Sequence, residues 1–481
     1  MIISAVFGFH NVGTAYYQMG YASIIWYIIA AVLFFLPASL MFAEYGSAIQ
    51  NDHGGIYTWL KDSIGDKWAF IGTFIWICDW IINLVSYAPN LLISFSTTLF
   101  GADRTGNLKL LGLSNPQTMG ILSIVLIIIL TWIATLGLKS VTFFSSLGGL
   151  LIAIVVSLFC VLSVILIVIN KGALVQPVHG IKSFIVSPNP QFQTPLSIMS
   201  FIVYAVFAYG GIESVSGIID KLKNPEKTFP RAMIISAILM TLMYSVSIFL
   251  CGFSINWGRI LGQGHVNLAN ILYVLMYNFG TFFSKSIGLS ATSAVHVGYL
   301  FSRFTGFATF LGTLGAIIIL TYSPIKSFIM GSPKRFWPRP MVKLNRHQMP
   351  AFAMWVQSAV VCVILFSTAF GGTGIKKFYS ILVEMNNVAS VFPYLFLVAA
   401  FPFFKRIKNL NRPFVFYKNR VQTNFTVGLI LVVLVASILF NLIQPLYVKD
   451  YMTAFWNFIG PVFFTGIAYL FYSKSAKKES K

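Results

Sequence analysis

Charge is what this sequence has least of. Only 9% of its 481 residues are Asp, Glu, Lys or Arg. A water-soluble domain carries about 25%, so a chain folded with its surface in water is excluded. Acidic residues are the scarcest, 12 against 33 basic ones, for a formal net charge of +21. A nucleic-acid partner is not expected, because the basic residues are scattered between long apolar runs instead of gathered in one domain. Cysteine is also sparse. Cys78, Cys160, Cys251 and Cys362 lie far apart within apolar stretches, with neither metal-ligand spacing nor the pattern of a disulfide framework. No basic segment precedes the first apolar run, so no cleavable signal peptide is expected, and no Walker A pattern supports ATP-driven pumping. What is present is apolar: 57% hydrophobic residues, 46 phenylalanines and a mean hydropathy of +0.81. The chain reads as an integral membrane protein.

A helix crosses the hydrocarbon core with about 20 mainly apolar residues. Stretches free of Asp, Glu, Lys and Arg predict twelve spans: two within 1–43, divided at the polar turn near Gln18 and Gly20, then 80–102, 110–138, 140–170, 183–212, 232–258, 304–325, 347–375, 385–404, 421–448 and 451–473. Residues 260–284 are a further candidate, and charge decides against them. With twelve spans and a cytoplasmic N-terminus, the inner loops collect most of the basic residues, including clusters at 334–346, 405–420 and 474–481. Another span would move all three clusters outside, against the preference of Lys and Arg for the cytoplasmic side. Residues 260–284 are therefore expected to form an external helix lying on the protein, with both termini cytoplasmic. Only seven residues precede Gly8, too few for the first half of a spanning helix, so the native start is expected upstream of Met1, or the sequence is a fragment. A native N-terminal peptide beginning at Met1 would contradict this.

An odd number of spans per repeat inverts the second copy relative to the first. Residues 1–170 and 171–404 are expected to form two five-helix repeats of opposite orientation, with two added helices and a short tail in 405–481. Glycine-interrupted apolar segments at matching positions of the two halves point to a transporter site. Span 1 reads Phe7-Gly-Phe-His-Asn-Val-Gly-Thr14 and span 6 reads Val206-Phe-Ala-Tyr-Gly-Gly-Ile-Glu-Ser214. A broken helix leaves backbone groups free, and these survive at membrane depth only where they line a cavity. Amides at Asn11, Val12, Gly13 and Thr14 would attract a carboxylate, helped by the half-helix dipole. Carbonyls at Val206, Phe207 and Ala208 would take an ammonium. Together they suit an α-amino acid. The alternative is that these glycines only let helices pack closely.

Three segments carry a resemblance. Glu44-Tyr-Gly, followed by Gly54-Gly-Ile-Tyr-Thr-Trp-Leu-Lys-Asp-Ser-Ile-Gly65, looks like a Gly-Gly-x-Tyr-x-Trp amphipathic loop; Asp220-Lys-Leu-Lys-Asn-Pro-Glu-Lys-Thr-Phe-Pro-Arg-Ala232 is similar to a Lys-Asn-Pro-Glu loop ending in Pro-Arg-Ala; and Pro324-Ile-Lys326 through Pro350 matches the approach to span 9. In this order they resemble the amino acid–polyamine–organocation (APC) superfamily over nearly the whole chain. The segments Ser4-Ala-Val-Phe-Gly-Phe-His-Asn and Tyr17-Gln-Met-Gly-Tyr21 look closest to its glutamate/GABA antiporter family. That resemblance implies an all-α, LeuT-like membrane fold with broken helices 1 and 6. It further implies amino acid exchange across a bacterial cytoplasmic membrane. Two departures count. Some superfamily members carry a proton-coupling lysine in span 5, and Ser146-Leu-Gly-Gly-Leu-Leu-Ile-Ala153 has none. Some antiporters also close the inner mouth with a long C-terminal plug, for which the tail after Tyr472 is too short.

Ionisable groups within spans are costly and usually functional. Glu213 follows the Gly210-Gly211 break and could bind an ammonium, carry a proton or simply hold the break. Asp79 in span 3 faces a cavity or pairs structurally. Glu384, beside Asn386 and Asn387 in span 10, is a coupling candidate or a partner of Lys376 or Lys377. His10 could sense acid pH or serve as a structural donor. Tyr204 and Tyr209, with Phe9, Phe207, Gly210 and Gly211, complete the candidate substrate-binding set. Arg303 could clasp a substrate carboxylate or snorkel outward. No cofactor and no metal is expected. The partners are amino acid substrates, the lipid bilayer and, in a proton-coupled symporter, protons. An embedded enzyme needs an assembled nucleophile–base set and a channel a repeated filter or charged ring; neither is legible here.

Overall fold

The computed structural model describes residues 7–49, 56–136, 141–211, 224–264, 266–372 and 374–479. Among these residues no strand occurs and every regular element is helical, as apolar runs require where no water can satisfy the backbone. The principal helices are α1 (Phe9–Met19), α2 (Ala22–Ala48), α3 (Ile56–Phe100), α4 (Asn115–Thr135), α5 (Val141–Ile169), α6 (Pro195–Phe207), α7 (Pro225–Cys251), α8 (Ile271–Ser286), α9 (Ala291–Gly331), α10 (Ala351–Ala369), α11 (Ile375–Phe404), α12 (Arg420–Tyr447) and α13 (Tyr451–Glu479).

Ten of these are long and apolar enough to cross a membrane, all except α1, α6 and α8. The outer helices leave large apolar side chains exposed, as Val421 and Phe425 on α12 at 80% and 71%, a surface suited to lipid and not to water. α6 is apolar and α1 mixed in polarity, and they have only 13 and 11 residues, about half a crossing at 1.5 Å per residue.

Several expected limits are corrected. Against the span expected at 80–102, α3 is helical from the kink at Gly65 (φ 81°) to Phe100 and carries Asp66, Lys67 and Asp79 within it. α9 likewise runs well beyond 304–325 and contains Arg303 and Lys326, and α11 begins ten residues before 385. A charge-free criterion stops at each ionisable residue, but a helix tolerates one whose side chain finds partners. Within 183–212, only Pro195–Phe207 is one continuous helix, preceded by a separate turn at Lys182–Ile185. In the segment at 260–284, a π-turn at Trp257–Leu261 precedes α8, whose 16 residues pack on α9.

The centre is α3, which packs against α9 and α11, while α9 also packs against α5. Small residues permit these approaches. A Cβ on Gly306 of α9 would sit 2.9 Å from the Thr98 nitrogen of α3, and one on Gly148 of α5 would sit 2.3 Å from the Gly312 nitrogen of α9. α2 widens into a π-turn at Ala31–Phe35, just before Pro37, which has no N–H for the helical ladder. Its end carries buried Glu44, and Tyr45 there stacks on Trp59 of the first segment of α3 with ring centroids 5.3 Å apart.

Candidate functional site

α1 begins where Gly8, in an extended conformation (φ −103°, ψ 114°), precedes Phe9. The first-turn amides of Phe9 and His10 have no acceptor within the helix. α6 ends at Phe207, and the chain turns through Tyr209 and Gly210 to Gly211, whose φ of 99° favours glycine. One hydroxyl joins the two ends. Tyr244 on α7 accepts the Gly8 N–H at 3.1 Å and donates to the Ala208 carbonyl at 3.0 Å. The Asn11 side-chain amide also reaches that hydroxyl at 3.3 Å, and Tyr204 donates to the Asn11 carbonyl at 3.2 Å. An N-terminal helix end and a C-terminal helix end, opposite in dipole sign, are thereby held beside one another.

They border a cavity of about 1000 Å³. Its walls are helical stripes. α3 presents Asp79, Asn83, Ser86, Tyr87 and Asn90, spaced three and four residues apart as one helix face requires. α11 presents Val383, Asn386, Asn387 and Ser390; α9 presents Thr305, Thr309, Gly312 and Thr313; and α5 adds Ser146, Gly149 and Ala153. Ala269, Leu272 and Tyr273, at and before the start of α8, contribute as well. The polar stripe on α3 was legible as serine, asparagine and aspartate at helical spacing in an apolar run. The α9 stripe of small residues carries a weaker signal of the same kind.

Of the residues expected to meet substrate, Phe9, His10, Asn11, Thr14, Tyr204, Phe207, Ala208, Gly210 and Gly211 line this cavity. Val12, Gly13 and Tyr209 do not. Val12 is fully buried, Gly13 faces Leu272 at the α8 contact, and Tyr209 donates to the Tyr27 carbonyl at 3.2 Å. The expected free amides also shift. Asn11 N–H is taken by the Gly8 carbonyl at 3.0 Å, and Val12 to Thr14 lie inside α1, so Phe9 and His10 hold the first-turn amides. The Val206 and Phe207 carbonyls accept the Tyr209 and Gly210 amides, and Ala208 accepts Tyr244. The Val206 carbonyl also accepts the Ala208 amide, so among the described residues it is the Phe207 and Ala208 carbonyls that each keep one lone pair for a further donor. His10 Nε2 lies 3.3 Å from the Thr14 hydroxyl.

Asp79 is buried and lines the cavity; its Oδ1 accepts from Asn83 Nδ2 at 2.8 Å and from the Ser390 hydroxyl at 2.5 Å. Glu384 is on another face of α11, where the Ser380 hydroxyl donates to it at 3.0 Å, and it is not among the lining residues. Of the two lysines expected beside it, Lys377 forms an ion pair with Asp450 while its charge also acts on Glu384, and the Lys376 side chain lies outside the described residues. Arg303 is exposed and does not line the cavity. Glu213 lies outside the described residues. Among the described residues no group of three or more His, Cys, Asp or Glu could hold a metal ion.

Tyr244→Phe removes the shared hydroxyl and leaves the Gly8 N–H and the Ala208 carbonyl unpaired, at about 1–3 kcal/mol for each buried group. A clear fall in the melting temperature of the detergent-purified protein is expected. Wild-type melting would mean that the bridge does not hold the two ends.

Residues 1–468 match the family model described as amino acid permease. The inner membrane transporter YjeM of Salmonella typhimurium is 41% identical over 481 residues, covering 100% of this chain and 95% of the relative. The Escherichia coli YjeM is 41% identical over 483 residues, covering 100% and 96%. More distant is the glutamate/gamma-aminobutyrate antiporter of Lactococcus lactis, 22% identical over 428 residues, 87% of this chain and 77% of the relative. With ten membrane-length helices among the described residues and a family match over almost its whole length, the chain belongs to the amino acid permease family and is a multi-pass membrane transporter of amino acids.

Proposed function

We propose that the protein is an amino acid antiporter of the bacterial inner membrane that works by alternating access around the cavity between α1, α3, α6 and α11. The observation that carries the reading is the Tyr244 bridge between the start of α1 and the end of α6. A substrate carboxylate docks at the Phe9 and His10 amides, where the dipole of α1 is positive. The substrate ammonium docks at the remaining lone pairs of the Phe207 and Ala208 carbonyls, at the negative end of α6. In this reading α1 and α6 are the second and first halves of two broken spans, giving twelve spans in all. They form a LeuT-like pair of inverted five-helix repeats over 1–170 and 171–404, with two helices in 405–481. Both termini and the basic clusters are cytoplasmic, and α8 lies externally. Exchange is favoured over proton symport by the distant likeness to the Lactococcus antiporter and by the cavity-lining stretch Ser146–Ala153, which has no lysine.

Counterflow in proteoliposomes tests this. Vesicles are loaded with one unlabelled amino acid at a time, and uptake of labelled amino acids is followed at acidic and neutral pH. Uptake that depends on a loaded partner is expected. Uptake into empty vesicles driven by an imposed proton gradient would replace exchange by symport, and steady unitary currents in single-channel recording would overturn the transporter reading.

A further inference from the structure

We propose that Tyr394 of α11 is a positioning residue for transport: its hydroxyl fixes the turn after α6, so that the carbonyls at the end of α6 are aimed at the substrate ammonium. This rests on the reading of the cavity as the amino acid site and adds a residue to it. α6 stops at Phe207, and the next three amides fold back on its last turn. Ala208 N–H donates to the Tyr204 carbonyl at 2.9 Å, Tyr209 N–H to Val206 at 3.1 Å and Gly210 N–H to Phe207 at 2.8 Å. Gly211 N–H reaches out to α11. With Gly211 in a conformation that favours glycine (φ 99°), its N–H donates to the Tyr394 hydroxyl at 2.9 Å. The approach is close, since a Cβ on Gly210 would lie 3.5 Å from that hydroxyl and 3.0 Å from the Phe207 carbonyl oxygen.

Tyr394 is itself held in place. It is 2% exposed, with its ring edge-on to Phe34 at a centroid distance of 5.1 Å and stacked on Phe42 at 6.0 Å, both on α2. One turn earlier on α11, Ser390 lines the cavity, whereas Tyr394 does not. Tyr394 therefore acts through the turn and not on the substrate. The same turn is held by the Tyr244 hydroxyl of α7 at the Ala208 carbonyl and by Tyr209, which donates to the Tyr27 carbonyl of α2. Three helices thus fix the peptides between Phe207 and Gly211. Hydrogen bonds weaken as their angle departs from linear, and those made by a charged donor are the stronger ones. A turn released on its α11 side misdirects the carbonyls and weakens the hold on the ammonium, while the carboxylate dock on α1 is untouched.

The experiment is counterflow by the full chain in proteoliposomes, with labelled L-glutamate, L-leucine and L-lysine in turn. Each is competed by its unlabelled self and by the 2-hydroxy acid that carries a hydroxyl in place of the α-amino group. The wild type is expected to prefer the amino acid. In Tyr394→Phe, which keeps the ring and its packing on Phe34 and Phe42, that preference is expected to fall about tenfold or more, the size of one charge-assisted contact. The apparent KM for the amino acid rises and the maximal rate changes less. Tyr45→Phe is the control. It removes a hydroxyl that donates to the Leu397 carbonyl of α11 at 3.3 Å, away from the turn, and should keep the wild-type preference. Because both competitors are compared in one preparation, the ratio does not depend on the yield of folded variant. A Tyr394→Phe ratio equal to that of the wild type, or an equal fall in Tyr45→Phe, would overturn the role of Tyr394 and leave the docking of the ammonium standing. A wild type that treats amino acid and hydroxy acid alike would overturn that docking, and exchange of none of the three amino acids would overturn the transport reading; the proposal falls with either.

Discussion

A Glu44→Ala variant is expected to lose most of its folded yield. Glu44 is fully buried at the end of α2 and has three partners from the other end of the chain. Its Oε2 meets Lys405 Nζ at 2.6 Å, and its Oε1 accepts the amides of Phe416 and Tyr417, both at 2.8 Å. The carboxylate thus ties α2 to the end of α11 and to the segment that leads into α12. Alanine would leave a largely buried ammonium without its counter-charge and two amides without an acceptor. Breaking a buried pair by removing one partner costs about 3–5 kcal/mol, a large part of the stability of a folded domain. Glu44→Gln keeps an oxygen for the two amides and loses only the charge, so it should fall between the wild type and Glu44→Ala. Adding Lys405→Met to Glu44→Gln should recover part of the loss, because the stranded charge is then gone. Thermal melting of the four detergent-purified proteins, read by size-exclusion chromatography, checks the series. Equal melting of Glu44→Ala and the wild type would show that the tie carries no stability.

The second large effect concerns two adjacent glycines with opposite expectations. A Cβ on Gly148 would lie 2.3 Å from the nitrogen and 2.5 Å from the Cα of Gly312, and no flexible side chain is there to move aside. Gly148→Ala must therefore push α5 from α9. Overpacking of this kind costs about 1–3 kcal/mol or more, and the displaced wall also borders the cavity. Gly149→Ala meets nothing within 4 Å. It should fold at wild-type yield, with a small gain from the better helix propensity of alanine. The expected result is a strong fall in melting temperature and counterflow for Gly148→Ala and wild-type melting for Gly149→Ala. Equal melting of the two variants would mean that α5 and α9 do not meet at Gly148 and Gly312.

How much of the site could be read in advance depended on how local each signal is. The helix ends near Gly8 and Gly210-Gly211 were visible because glycine and polar residues interrupt apolar runs. Their exact residues were not, since Asn11 N–H turned out to be held by Gly8, and Phe9 and His10 carry the first-turn amides instead. Asp79, Asn83, Ser86 and Asn90 repeat at helical spacing within one segment, so their common face is a property of the sequence even though it was not drawn from it. Asn387 and Glu384 are three residues apart on α11, yet one lines the cavity and the other does not. Nothing local separates them, because the choice is made by α3 on one side and α13 on the other.

The sequence by itself determined that this is a helical membrane protein, where most of its spans lie and which family it resembles. Those properties follow from runs of about 20 apolar residues and from short motifs, and they need no distant partner. Only the tertiary structure decided that Tyr244 joins two helix ends, that Tyr209 and Gly13 face away from the cavity, and that Asp79 shares a wall with Asn386 and Asn387. Each of these depends on a contact between residues tens to hundreds of positions apart. Such a contact exists only once the helices have packed, and their packing is set by shape, through pairs such as Gly148 and Gly312, which no single segment contains.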